Sequence, residues 1–265
     1  MSDRPEPDLG WPAADAAVVR AVAGCHAALG RPILVGLAGS QGSGKSTTAP
    51  RLAALVAERG LRTAILALDD FYLTRAEREL LARDVHPLLA TRGVPGTHDI
   101  GLLSGTVEAL SNGGSAHLPV FDKASDDRSG LRSIPGPADV VLLEGWCIGA
   151  LPQTEGKLAE PVNALERSED ADGRWRRWVN DRLASDYAAL FDRLDLTVLL
   201  RAPSFAVVER WRGEQEAHLG GRAMRPAAIA RFVQHYERIT RAMLADEPAD
   251  LIVDLSADRF PVRIR

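Results

Sequence analysis

Apolar residues along the chain fall into two alternating patterns. Short blocks almost free of polar residues, namely Ile33 to Ala38, Thr63 to Leu68, Asp139 to Glu144 and Leu194 to Arg201, read as strands buried on both faces, as in a parallel sheet. Between them run longer stretches whose apolar residues recur every three or four positions. These predict helices over Ala13 to Leu29, Thr47 to Glu58 and Thr74 to Asp84, from Asp99 to about Leu110, up to Phe191, and over Phe205 to His218 and Pro226 to Leu244. A last strand is expected over Asp250 to Leu255. Strand and helix in alternation predict an α/β fold, a parallel sheet wrapped by helices. The turn-rich segment His86 to Asp99, the loop Asn112-Gly113-Gly114-Ser115 and an excursion over 149–173 rich in Pro, Gly and acids interrupt the pattern. Long segments of this kind more often carry function than short ones.

Composition narrows the class. A chain of 265 residues can bury one sizeable core, as one domain or as a domain with a lid. A net charge of −4, with arginines spread over the whole length, argues against nucleic acid as the main partner. Cys25 and Cys147 have no second Cys or His at ligand spacing and are expected to be reduced core thiols. Met1 to Gly10 lacks the basic start and apolar run of a signal peptide, and no apolar run approaches the ~18 residues of a membrane span. The cytoplasm is the expected location.

The first apolar block ends in Gly39-Ser40-Gln41-Gly42-Ser43-Gly44-Lys45-Ser46-Thr47 and opens a helix, so the strand, turn and helix that a Walker A phosphate loop needs are all present. Glycines let the backbone fold around an anion, successive N–H groups point at the phosphates, and the helix N-terminus adds positive potential. Lys45 would reach the β/γ-phosphates and Ser46 would ligate Mg²⁺, so ATP and Mg²⁺ are the expected cofactors.

In an open parallel sheet, ligands gather at the carboxyl ends of the strands. Asp69 and Asp70 end the second strand, and Glu144 ends the third behind four apolar residues, as a Walker B acid does. An acid at this edge can hold Mg²⁺ or accept a proton from an attacking hydroxyl. Lys123 is one of only three lysines among 32 basic residues, which suggests a position where a compact ammonium is needed and a guanidinium fork would not fit. Arg92, His98 and Asp99 stand together in a turn with two glycines and a proline, a set suited to an anionic or hydroxylated substrate. Arg210, Arg212, Glu214, Gln215, Glu216, Arg222 and Arg225 crowd the junction of two helices, where a mobile segment could bring a cation over a γ-phosphate.

Five motifs in order, Gly39 to Ser46, Leu68-Asp69-Asp70-Phe71-Tyr72-Leu73, Arg92 to Asp99, Phe121-Asp122-Lys123-Ala124 with Asp126-Asp127-Arg128, and Leu143-Glu144-Gly145-Trp146-Cys147, together resemble the D-glycerate 3-kinases. These are phosphate-loop kinases akin to uridine kinase, pantothenate kinase and phosphoribulokinase. The resemblance runs from about Pro32 to the C-terminus and includes Pro161-Val162-Asn163 and Phe232 to Arg238. It implies a three-layer P-loop sandwich with sheet order 2-3-1-4-5 and a helical lid. Residues 1–30 would form a helical extension, and residues 31–265 a kinase domain with substrate-binding insertions at about 84–130 and 149–175 and a lid at about 205–226. The implied reaction is phosphorylation of D-glycerate to 3-phosphoglycerate, the alternative being another small alcohol such as a nucleoside, pantothenate or a sugar phosphate. The implied catalytic residues are Lys45, Asp69 as base, Glu144 and Arg212. Asp70, Tyr72, Arg92, His98, Asp99, Lys123 and Arg128 would contact the acceptor, and Ser46, Asp69 and Glu144 the metal. Met224-Arg225-Pro226 departs from the Met-Ser-Asp frequent in relatives. A guanine-reading Asn-Lys-x-Asp or Thr-Lys-x-Asp is absent, which speaks against a GTP-driven switch.

Overall fold

The computed structural model describes residues 9–217 and 225–265. Arg222 and Met224, and the side chains of Gln215 and Glu216, lie outside the described residues. Six strands form one sheet in the order β2 (Thr63–Ala67), β5 (Val140–Gly145), β1 (Ile33–Gly39), β6 (Leu196–Arg201), β7 (Leu251–Leu255), β8 (Pro261–Ile264). The five parallel strands stand 2-3-1-4-5 in their own chain order, with an antiparallel sixth, β8, beyond them. The expectation stopped one strand short, because Pro261-Val262-Arg263-Ile264 is too brief to show a period.

Strand β1 is buried at every position, pairing Leu37 with Glu144 of β5 and with Val198 of β6. Its side chains alternate between two cores, as the period of two requires. Leu34 and Ala38 join one core with Leu66, Leu143 and Tyr236, while Ile33, Val35 and Leu37 join the other with Val18, Leu52 and Trp211. Helices α1 (Gly10–Leu29), α2 (Lys45–Ala57) and α9 (Phe205–Ala217) cover the second face. Helices α4 (Ile100–Ser111), α7 (Arg174–Arg182), α8 (Ala188–Phe191) and much of α10 (Pro226–Asp246) cover the first. Three layers result.

Between β2 and β5 the chain adds α3 (Arg75–Asp84), which a capping box of Thr74 and Glu77 starts, and then a hairpin. Strands β3 (Ala116–Asp122) and β4 (Asp127–Ile134) form a separate antiparallel sheet. Sequence patterning does not show this hairpin, because β4 is exposed or half-exposed over Asp127 to Ser133 and carries polar residues on both faces. Pro119 sits inside β3, which a two-stranded ribbon tolerates.

The excursion after β5 holds two short helices, α5 (Glu155–Ala159) and α6 (Ala164–Glu169). Buried charges pin it down. Glu166 binds Arg238 through both oxygens, at 2.6 and 2.8 Å, and Arg238 also donates to the carbonyls of Lys157 and Glu160. Arg176 does the same service with Asp170 and the carbonyls of Leu158 and Ala159. The excursion is thereby fixed to α10, the helix that lends Phe232 and Tyr236 to the cleft described next. No helix among the described residues is long and apolar enough to cross a membrane.

Candidate active site

One cleft at the carboxyl edge of the sheet gathers the ends of β1, β2 and β5. It is lined by Gln41, Gly42, Lys45, Ser46, Asp69, Tyr72, Arg92, Lys123, Glu144, Gly145, Trp146, Arg212, Phe232 and Tyr236. Its floor is the phosphate loop. Gly42 and Gly44 hold φ of 76° and 89°, and a Cβ on Gly42 would stand 2.6 Å from Cβ of Trp211, so the loop's shape requires glycine there. Lys45 opens α2 and donates to the carbonyl of Ser40 at 3.1 Å. Burial pushes its ammonium below the usual lysine range, with the charges of Glu144 and Asp69 working the other way.

The donor set suits a nucleotide and its metal. The Gln41 amide nitrogen and the hydroxyls of Ser40 and Ser43, all able to donate, are buried with no partner among the described residues, as expected of groups that face an anion. The hydroxyl of Ser46 donates to Oε1 of Glu144 at 2.7 Å, which places one hydroxyl and one carboxylate at the first turn of α2. Among the described residues no three His, Cys, Asp or Glu side chains converge to hold a metal by themselves. Mg²⁺ commonly takes only one or two protein ligands and completes its shell with phosphates and water, so this pair fits it.

The chain turns at the end of β2 through a 3₁₀ helix, Leu68–Phe71, which buries Leu68 and Phe71 and leaves Asp69 on the cleft side. Asp69 receives Tyr72 Oη on Oδ1 at 2.7 Å and Lys123 Nζ on Oδ2 at 2.6 Å. Burial alone would raise its pKa; the Lys123 charge and the two hydrogen bonds outweigh it and hold the carboxyl well below the usual carboxylate range. Both oxygens of Asp69 are engaged by protein donors, whereas Ser46 and Glu144 face each other directly at the start of α2.

Arg92 lines the same cleft, paired with Asp126 and lying 5.5 Å from the ring centre of Phe121. Asp126 is itself set by the buried Arg78, which also caps the carbonyls of Leu73 and Ala90. Arg212 of α9 reaches the cleft with its guanidinium 5.2 Å from the ring centre of Phe232.

Four residues expected at the acceptor do not line the cleft. Asp70 pairs with Arg132 of β4 at 3.1 Å. Asp99 caps α4 through Leu102 N–H and pairs with Arg128, whose Nε donates to the carbonyl of Tyr72. His98 is buried behind Tyr72, their ring centres 4.7 Å apart. Tyr187 Oη accepts the Gly96 N–H and shares a hydrogen bond of 2.5 Å with His98 Nδ1. Burial lowers the pKa of His98 to about 4, so the ring is neutral near pH 7. These four side chains brace the wall from behind.

Sequence reasoning passed over the aromatic wall of Trp146, Phe232 and Tyr236. Trp146 Nε1 donates to the carbonyl of Gly93 at 2.8 Å, and Tyr236 Oη donates to that of Arg92 at 2.9 Å. Together they hang the Arg92 turn from β5 and α10. The signal was present in the motifs Glu144-Gly145-Trp146 and Phe232 to Arg238, which carried a likeness but no role.

Residues 12–72 match the model of a family described as the methylmalonyl Co-A mutase-associated GTPase MeaB, a stretch that spans the phosphate loop and β2. The chain is 34% identical over 222 residues to the "Uncharacterized kinase mug58" of Schizosaccharomyces pombe, a match covering 78% of the chain and 79% of that relative. It is 29% identical over 258 residues to "D-glycerate 3-kinase, chloroplastic" of Arabidopsis thaliana, covering 87% of the chain and 54% of the relative; it thus spans about half of that relative's length. The solved structure of a D-glycerate 3-kinase from Cryptococcus neoformans superposes with a TM-score of 0.81 at 26% identity, over 96% of this chain and 99% of that one.

Proposed function

We propose, for a chain that belongs to the phosphate-loop kinase family of mug58 and the D-glycerate 3-kinases, that it transfers the γ-phosphoryl group of ATP to the 3-hydroxyl of D-glycerate. The observation that carries this reading is the sharing of one cleft by the phosphate loop, the carboxylate of Asp69 and a cationic wall of Arg92 and Lys123. A three-carbon hydroxy acid needs a cation for its carboxylate and a carboxylate beside its hydroxyl, and that cleft offers both.

The residues divide the work. Phosphate-loop N–H groups and Lys45 would hold the β/γ-phosphates and offset charge that builds on them in the transition state. Ser46 and Glu144 would hold Mg²⁺, which supplies charge neutralisation and orientation of the phosphates. Asp69 would orient the acceptor hydroxyl and take its proton as the oxygen attacks the γ-phosphorus and the bond to the bridging oxygen of ADP breaks. Arg212, resting on Phe232, would bring a further cation to the transferring group.

Trp146, Phe232 and Tyr236 favour a second reading, a nucleoside acceptor stacked on an aromatic face. Against it, Trp146 and Tyr236 meet edge to face at 4.9 Å, Phe232 tilts onto Tyr236 at 5.0 Å, and the polar tips of the first two are spent on backbone carbonyls. A coupled ADP-release screen over D-glycerate, uridine, pantothenate and ribulose 5-phosphate, with NMR of the product, separates the readings. Phosphorylation of D-glycerate at O3 is expected. Turnover confined to uridine would replace this reading with the second.

A further inference from the structure

The two donors on Asp69 are held with very different firmness. Tyr72 is 3% exposed, stacked on His98 and packed edgewise against Phe121 at 4.9 Å, so its hydroxyl is a fixture of the wall. Lys123 stands in the turn between β3 and β4 with its side chain 57% exposed. Asp122 accepts from the N–H groups of Ala124 and Ser125, which sets the turn's backbone but leaves the four-carbon stem of Lys123 to solvent. Of the two donors, Lys123 is therefore the one whose side chain can swing into solvent without unpacking the wall.

The ammonium also lines the cleft that an acceptor must enter. As it stands, each oxygen of Asp69 serves a protein donor, and the removable donor sits on Oδ2. The residue type matters: a guanidinium fork would span both oxygens and compete with Tyr72, whereas an ammonium covers one.

We propose that Lys123 is a latch on Asp69 that the acceptor opens with its own carboxylate. The acceptor's anion draws the ammonium away, Oδ2 is freed, and the hydroxyl of the same molecule becomes the new donor to it. That hydroxyl's oxygen then bonds to the γ-phosphorus, the bond to the bridging oxygen breaks to leave ADP, and its proton passes to Oδ2 and from there to water. This rests on the glycerate reading and deepens it: acceptor charge becomes a condition of turnover as well as of binding, and neutral polyols are refused at the chemical step.

D-glycerate and glycerol, which keeps the hydroxyl chain and lacks the carboxylate, test the latch at saturating ATP and Mg²⁺. The parent protein should show kcat for glycerol at least ~10²-fold below that for glycerate. Lys123→Met removes the ammonium and keeps the stem; kcat for glycerol should rise ~10-fold while kcat/KM for glycerate falls ~10²-fold. Lys123→Arg, whose fork still covers Asp69, should give no such rise with glycerol. Should Lys123→Met melt below the parent, Lys123→Gln carries the same expectations. A parallel loss on both acceptors overturns the latch, as does a parent whose discrimination lies wholly in KM. A parent that ignores D-glycerate and phosphorylates another acceptor of the screen removes the glycerate reading, and the latch with it.

Discussion

The hydroxyl of Ser46 donates to the carboxylate of Glu144 at 2.7 Å, joining the first turn of α2 to the end of β5. One strand end and one helix start thereby face a single point, and removing the charge on one side tests what that point is for. Glu144→Gln keeps the shape and weakens the hold on a cation, so the Mg²⁺ concentration for half-maximal rate should rise ~10-fold or more. A Mg²⁺ titration at fixed ATP measures this; an unchanged curve would remove Glu144 from the metal.

Asp69→Asn should behave differently. The amide cannot take a proton, so turnover should fall by ~10²–10⁴ while ATP affinity and the Mg²⁺ requirement stay near those of the parent. Lys45→Ala should cost more than ~10² in turnover with the fold intact, because charge on the transferring group loses its nearest fixed cation. Normal turnover in a folded Asp69→Asn protein would show that the acceptor needs no base there.

Gly93 is the tightest approach in the acceptor wall. A Cβ there would lie 1.9 Å from Tyr236 Oη, and its φ of 122° disfavours any side chain. Gly93→Ala should therefore destabilise by ~2–4 kcal/mol and raise the acceptor KM, since Arg92 is carried on the same turn. Gly156→Ala, in α5 with open space around it, is the control and should change stability by less than ~1 kcal/mol. Equal melting temperatures for the two variants would contradict the packing described.

Stability should decline as pH falls from about 6.5 towards 4. His98 and His235 are both lowered to about 4, burial being the chief cause for each. Between 4 and 6.5 the unfolded chain binds their protons and the folded one does not, so unfolding takes up protons and stability rises with pH across that window. His98→Asn should flatten part of the slope of a denaturant-midpoint profile; an identical profile would mean that His98 protonates in place.

Most of the nucleotide half was legible in the sequence, and the acceptor half less so. Gly39 to Thr47 and Glu144 announce themselves because their chemistry depends on contiguous backbone and on one strand end. Asp70, His98, Asp99 and Arg128 have the right chemical types in the right motifs, yet partner choice across the chain turns them into supports: Asp70 goes to Arg132 and His98 to Tyr187. Such pairings are set by three-dimensional proximity, which no spacing encodes. The β3–β4 ribbon was illegible for another reason, since a strand with both faces polar has no period to find. Lys123 was the exception, singled out by the scarcity of its kind.

That ribbon shares no hydrogen-bonded ladder with the six-stranded sheet, yet it delivers Lys123 to the cleft and sends Arg128 and Arg132 to its supports. Side chains alone tie it down: Ala116, Leu118 and Ile134 enter the same buried cluster as Leu66 and Leu143, and Phe121 packs edgewise on Tyr72. An element held by side chains rather than by a backbone ladder can change its exposed residues without shifting the strand ends that carry Asp69 and Glu144, so the ribbon is a part of the cleft wall open to redesign.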